Sequence, residues 1–238
     1  MDTKKINKGN TLMIAHRGLS GIERENTISA FVAAANRSYF GIETDVYRTK
    51  DGQYVLFHDG STGRIALDNV PITESTYNLL KSVELTDTDG RTRSDLHIAL
   101  LSEYVRVCKR YGKKCILEIK GQFEKEHIKD VVDIIKSEDY TDGVIFISFH
   151  ICNLINVREY LPDQPAQLLT GEINDNMLKM LTENKLDIDV IHTTVTEENI
   201  KLLHDHGIKV NVWTVDDKEK GEQYALWGAD YITTNILE

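Results

Sequence analysis

Residues 41–59 read Gly41-Ile42-Glu43-Thr44-Asp45-Val46-Tyr47-Arg48-Thr49-Lys50-Asp51-Gly52-Gln53-Tyr54-Val55-Leu56-Phe57-His58-Asp59. They contain two strand-like runs, and only Tyr47 to Gly52 separates Val46 from Gln53. A parallel crossover needs a dozen or so residues, so these two runs cannot be successive strands of a parallel sheet. The Lys50-Asp51-Gly52 turn signal predicts a hairpin instead. Folding the chain back about that turn brings His58 beside Glu43 and Asp45. Two dipeptides that look distant in sequence thus become one candidate site.

Outside this hairpin, β-branched runs alternate with helical patterns. Strands are predicted over 11–15, 41–46, 115–119, 144–148, 166–170, 188–192, 209–213 and 230–233. Amphipathic stretches lie at 28–37, 100–110, 127–136, 175–184, 197–206 and 218–227, with apolar positions recurring at three and four. Several strands are nearly continuous apolar runs, as expected of a parallel sheet covered by helices. Eight strands with helical crossovers favour an α/β fold closed as a TIM-like (β/α)8 barrel over an open doubly wound sheet. The 238 residues suit one such barrel domain. Residues 60–97 show little periodicity and many Thr, Asp, Gly and Arg residues. They read as a small insertion after the second barrel strand and its hairpin, either capping a site or elaborating the surface.

The formal net charge of −10, with no Lys/Arg cluster, argues against a nucleic-acid partner. An anionic substrate would need local help from a metal or from a few placed cations. No run approaches the roughly 20 apolar residues of a membrane span. Cys108, Cys115 and Cys152 are an odd number without a CxxC spacing. They are expected to be free thiols in a reducing compartment rather than a zinc site. Residues 1–10 are polar and basic, so a cytoplasmic location is expected, although a removed secretion signal would leave the same start. A homo-oligomeric state is left open.

Chemistry-bearing residues gather at predicted strand ends. His16, Arg17 and Gly18 follow the first strand, at the end of a barrel where active sites are built. Taken alone they also suit a packed histidine, a surface arginine and a turn glycine. Glu43 and Asp45 stand two apart on a strand and so share one side. They are either the polar face of an edge strand or a buried pair compensated by a cation. A hard divalent ion with oxygen ligands is the simplest compensation. Glu118 and Lys120 repeat the pattern, as a plain ion pair or as a third carboxylate with a point charge for phosphate. His58 follows an apolar run, with Asp59 placed to orient it or to cap a turn. Trp213 offers an apolar wall, a hydrogen-bonding edge or core packing. Ser148, Phe149, Asp230, Thr233 and Asn235 also fall at predicted strand ends, Thr27 is a candidate helix N-cap, and Glu25 or Asn26 is a candidate to face the mouth.

The chain resembles the glycerophosphodiester phosphodiesterase family. The match runs through His16-Arg17-Gly18, Glu25-Asn26-Thr27, Glu43-Thr44-Asp45, His58-Asp59, Glu118-Ile119-Lys120, Trp213-Thr214-Val215 and Asp230-Tyr231-Ile232-Thr233, and so covers nearly the whole chain. The resemblance implies a TIM barrel with a small insertion after His58-Asp59. It implies one divalent ion, Ca2+ or Mg2+, on Glu43, Asp45 and Glu118. It further implies His16 and His58 as the acid/base pair, Arg17 and Lys120 on the phosphate, and a small glycerophosphodiester as the substrate. Arg24 and Ala99 stand where the family often has proline, and neither is a proposed ligand.

Metal-dependent hydrolysis to glycerol 3-phosphate and an alcohol is therefore expected. The attacking group is water or the glycerol's own 2-hydroxyl, and the hydroxyl is favoured because an intramolecular attack gains effective molarity. Three alternatives stay in view: a related barrel acting on lysophospholipids or sphingolipids, a non-catalytic glycerophosphate-binding barrel, and a sugar-phosphate enzyme with Lys120 as Schiff base. The polar residues 60–97 speak against the first, and the complete histidine and carboxylate sets against the second.

Overall fold

The computed structural model describes residues 2–238; Met1, the first of the polar residues 1–10, lies outside them. Eight parallel strands form the barrel: β1 (Leu12–Ala15), β2 (Gly41–Arg48), β4 (Lys114–Ile119), β5 (Val144–Ser148), β6 (Ala166–Thr170), β7 (Asp187–Ile191), β8 (Val210–Trp213) and β9 (Tyr231–Thr234). The short β3 (Tyr54–Leu56) is the hairpin strand. Neighbours run β1-β9-β8-β7-β6-β5-β4-β2, and pairing of Ile14 with Gly41 between β1 and β2 closes the ring. The expected closed barrel is thus the observed one.

Helices α1 (Ile28–Ala35), α3 (Leu101–Tyr111), α4 (Lys125–Ser137), α5 (Ile151–Tyr160), α6 (Asp175–Asn184), α7 (Glu197–Asp205) and α8 (Lys218–Leu226) cover the strands. Thr27 caps α1 by accepting from the Ala30 amide. The main core lies between barrel and helices, where Met13, Ile42 and Leu117 meet Phe31, Tyr104 and Ile128. Inside the barrel, Ile14, Ile116, Ile145 and Tyr231 pack a separate plug. The inward positions nearer the C-terminal rim are left for polar side chains, as in other barrels of this kind.

The hairpin forms where the turn chemistry places it. Val46 pairs with Leu56 and Arg48 with Tyr54, antiparallel, and Gly52 takes φ +81 in the turn. The Phe57 amide then donates to the Asp45 carbonyl at 3.0 Å, which delivers His58 to the rim.

Residues 60–97 are more organised than their composition suggests. They carry α2 (Tyr77–Lys81) and a small core of Ile65, Ile72, Leu80, Val83, Leu85 and Leu96, packed on Val55 and Phe57 of the hairpin. Arg24 donates to the carbonyls of Thr86 and Asp87, and Arg93 bonds Glu23 and Asp87 at 2.9 Å each. The insertion is therefore fastened to the loop after β1. Among the described residues, no helix is long and apolar enough to cross a membrane. Cys108 and Cys115 are buried free thiols, while Cys152 is only partly covered.

Candidate active site

Strand register assembles the acids. Asp45 lies opposite Glu118 on adjacent strands β2 and β4, and Glu43 points the same way as Asp45 one pleat below. Oxygens of Glu43, Asp45 and Glu118 all lie within 4.8 Å of one another, and the three side chains are buried. Such proximity is costly for like charges. Burial, then Asp45 and Glu118, push the Glu43 carboxyl well up, and burial with Asp45 raises Glu118 to about 8. Asp45 goes the other way: burial opposes ionisation, but Lys120 and Arg17 outweigh it and hold its carboxyl below the usual range. Asp45 Oδ1 is buried without a hydrogen-bond partner. Three crowded carboxylate oxygens, with Lys120 as the cation nearest Asp45 Oδ1, form a donor set suited to a hard divalent cation.

Two imidazoles border the acids, each held by a second side chain. His16 Nδ1 lies 2.8 Å from Asn235 Oδ1, and Asn235 Nδ2 donates to Asp216 Oδ2 at 2.6 Å. Because the amide nitrogen is committed to Asp216, the Asn235 oxygen must accept, so Nδ1 of His16 carries the proton and Nε2 is left free. Burial and the Arg17 charge lower the His16 pKa to about 4. His58 Nδ1 sits 2.7 Å from Asp59 Oδ1, and Arg64 Nε holds the other Asp59 oxygen at 2.6 Å. Burial lowers the His58 pKa, with Asp45 and Asp59 pulling the other way.

The cations are anchored from below and outside. Arg17 takes φ +54 and Asn26 φ +55, left-handed backbone that residues other than glycine rarely adopt. This bend points the Arg17 amide at Glu43 Oε2, 2.8 Å away, and lets Asn26 donate to Asp45 Oδ2 at 2.8 Å. Gly18 follows at φ +77, where a Cβ would stand 2.7 Å from the Ala30 backbone. The Arg17 guanidinium bonds Glu25 at 2.9 Å, and Glu25 in turn receives Arg64. Lys120 Nζ bridges Glu118 at 2.9 Å and Asp45 at 3.3 Å. Burial would lower the Lys120 pKa, but Asp45 and Glu118 outweigh it and raise it. A lysine held as an ammonium is poorly suited to form a Schiff base.

The sequence profile of the Glycerophosphoryl diester phosphodiesterase family matches residues 16–238. The chain belongs to this family. It is 29% identical over 232 residues to a glycerophosphodiester phosphodiesterase of Caldanaerobacter subterraneus subsp. tengcongensis, covering 96% of this chain and 95% of the relative. A glycerophosphodiester phosphodiesterase of Bacillus altitudinis is 26% identical over 235 residues, covering 95% of each chain. Among solved structures, a phosphodiesterase of Oleispira antarctica in complex with the product sn-glycerol-3-phosphate superposes with a TM-score of 0.86 at 23% identity, covering 94% of this chain and 92% of that one. The Thermotoga maritima glycerophosphodiester phosphodiesterase gives a TM-score of 0.76 at 26% identity, covering 94% of each.

In this phosphodiesterase one cavity of about 140 Å3 gathers His16, Arg17, Glu43, His58, Glu118, Lys120 and Trp213. Asp45 underlies it through its contacts with Lys120 and Arg17. The same cavity is also lined by Ile147, Phe149, Leu169, Asp189 and Thr233. Trp213 stacks edge-on against Phe149, and its indole N–H donates to the Asp189 carbonyl at 3.1 Å. Ser148 stays out of the cavity, bonded to Ile119, His150 and Asn153. Asp230 lies at the start of β9, not the rim, bonded to His204 at 2.9 Å.

Three participants escaped the sequence reading. Asp216 orients Asn235 and through it His16, but only barrel closure brings it there. Arg64 comes from the insertion, and its link to Asp59 and Glu25 carries no local signal. Asp189 sits in a strand whose alternation of acid and apolar residues looks like a half-exposed edge. Asn26 did carry a signal, since it precedes a capped helix within the matched motif.

Proposed function

We propose that this protein hydrolyses glycerophosphodiesters to glycerol 3-phosphate and an alcohol, with His16 and His58 as proton-transfer groups beside a divalent ion held by Glu43, Asp45 and Glu118. The observation that carries this reading is the cavity in which three mutually repelling buried acids are bordered by two imidazoles with fixed Nδ1 partners. Family membership and the product bound in the Oleispira antarctica phosphodiesterase support the substrate class. When bound, the ion, Ca2+ or Mg2+, supplies a Lewis acid that offsets charge on the phosphate oxygens.

The protein's own groups do the rest. Arg17 and Lys120 face the cavity as fixed positive charges for the phosphate, positioned before substrate arrives by Glu25 and by Asp45 with Glu118. His16 is kept neutral by burial and by Arg17, which leaves its Nε2 lone pair free to take the proton from the attacking hydroxyl. His58, with Asp59 on Nδ1 to stabilise its charged form, donates its proton to the departing alcohol oxygen as the P–O bond breaks, and the two histidines exchange roles when water opens the cyclic product. The preferred nucleophile is the glycerol 2-hydroxyl, giving a cyclic phosphate that water then opens.

One observation favours a second reading. An apolar groove lined by Phe149, Ile151, Leu169, Met177 and Met180 shares Phe149 and Leu169 with the cavity, and could take a hydrocarbon chain. Release of the head-group alcohol from glycerophosphocholine, glycerophosphoethanolamine and glycerophosphoglycerol, set against release of choline from lysophosphatidylcholine, separates the two. Higher kcat/KM on the chain-free diesters is expected. Preference for the lysolipid would move the protein to the second class, and no release from any of them would refute both.

A further inference from the structure

Across the cavity from the metal-type cluster, Asp189 carries a carboxyl that the mechanism above does not use. It lies on β7 and is 1% exposed, yet it lines the same cavity as His16, His58 and Lys120. Its Oδ1 is buried without a hydrogen-bond partner. It stands outside the three-carboxylate group, so it is not part of that ligand set. Its polar neighbours are engaged elsewhere. Asn211, opposite it on β8, bonds Gln167 and Thr233, and the Trp213 indole bonds the Asp189 backbone carbonyl rather than its side chain.

An orphaned acceptor in a closed wall is costly, and such a group in a ligand cavity is normally completed by the ligand. The chemistry of the ligand follows from the surroundings. The phosphate is already provided for on the other wall by Arg17 and Lys120. The cavity is too small for a bulky head group beside the phosphate. What suits a single acceptor flanked by Ile147, Leu169 and Trp213 is a small carbon skeleton bearing a hydroxyl donor.

We propose that Asp189 Oδ1 accepts a hydrogen bond from a hydroxyl of the glycerol moiety, and so selects glycerol diesters from other phosphodiesters. This rests on the function proposed above. It makes Asp189 a substrate-binding residue for the polyol half of the substrate. A site built to bond a hydroxyl discriminates sharply against the analogue lacking it, because the acceptor is then left bare.

The test is calorimetric titration of the magnesium-loaded protein with sn-glycerol 3-phosphate and with propyl phosphate, the same skeleton without hydroxyls. Wild-type protein should prefer glycerol 3-phosphate by about tenfold or more. Asp189→Leu should erase that preference by weakening glycerol 3-phosphate about tenfold while propyl phosphate changes less than about twofold. Asp189→Asn, which keeps an acceptor oxygen, should retain most of the preference, and Asp189→Ala serves if the leucine variant does not fold. A preference that survives in the leucine or alanine variant, equal weakening of both ligands, or no preference in the wild type overturns the assignment. Failure of the underlying reading would look different: the wild type itself would release no glycerol 3-phosphate from glycerophosphodiesters.

Discussion

On the β1, β2 and β4 side of the mouth the inward groups are Arg17, Glu43, Asp45, Glu118 and Lys120; on the β5 to β8 side they are Ile147, Leu169, Trp213 and the single acid Asp189. The first wall buries charges and can do so only because each is answered: Asp45 by Lys120, Arg17 and Asn26, Arg17 by Glu25, Glu25 by Arg64 from the insertion. Even so, the balance is incomplete. Glu43 and Glu118 are driven towards their protonated forms. The second wall achieves burial by ordinary apolar packing and leaves one acceptor open. The contrast suggests a site that reads its substrate in two parts, charge on one wall and skeleton on the other, with the histidines at the junction.

The largest expected effect lies at that junction. His16→Ala and His58→Ala should each lower kcat by about 10²–10⁴ while divalent-ion affinity stays within a few-fold. Steady-state kinetics with parallel metal titration checks this, and an imidazole whose loss leaves kcat intact is wrongly assigned. On the neutral wall the effect should be smaller and of another kind. Trp213→Ala should raise KM roughly tenfold with kcat changed no more than about threefold, because it removes a surface rather than a charge. An equal fall in kcat would mean that the walls do not divide the work in this way.

The smallest effect concerns stability. Glu118 in the folded protein titrates near 8, above the ordinary 4.5, so the metal-free fold binds more protons there than the unfolded chain. Stability from this group is present at low pH and is lost as pH rises from about 4.5 through about 8; Glu43 acts in the same direction. His16, lowered to about 4, acts below its ordinary 6.5, so the interval from pH 6.5 to 8 isolates the carboxylates. In that interval the melting temperature of chelated protein should fall, and the increment from added Mg2+ should grow. A melting temperature that rises with pH in chelator would contradict the crowding of the acids.

Much of the charged wall was legible from local pattern. Glu43 with Asp45, and Glu118 with Lys120, announce themselves as charges two apart in apolar strands, and Lys50-Asp51-Gly52 announces the turn that brings His58 to them. The barrel itself was legible because its strands are apolar runs cut by helical periods. Residues 60–97 were not, since their core of Ile65, Ile72, Leu80, Val83, Leu85 and Leu96 is assembled from loops with no repeating spacing. Helix α5 was also faint: its apolar residues spread around the axis, and Ile155 faces solvent. Asp216 and Asp189, and the pairing of Asn235 with His16, depend on ring closure, which places strands far apart in sequence against one cavity. Position on a strand misled at Asp230, which lies just before β9, at the end of the barrel away from the rim.

The claim on which the rest depends is that Glu43, Asp45 and Glu118 together hold one cation required for turnover. Crystals grown with Mn2+ and measured for anomalous scattering, alongside activity in excess EDTA, test it most directly. One anomalous peak within about 2.0–2.6 Å of oxygens from all three residues is expected. EDTA should abolish release of glycerol 3-phosphate, and Ca2+ or Mg2+ should restore it. A peak located elsewhere, or full turnover in the chelated protein, would contradict the account.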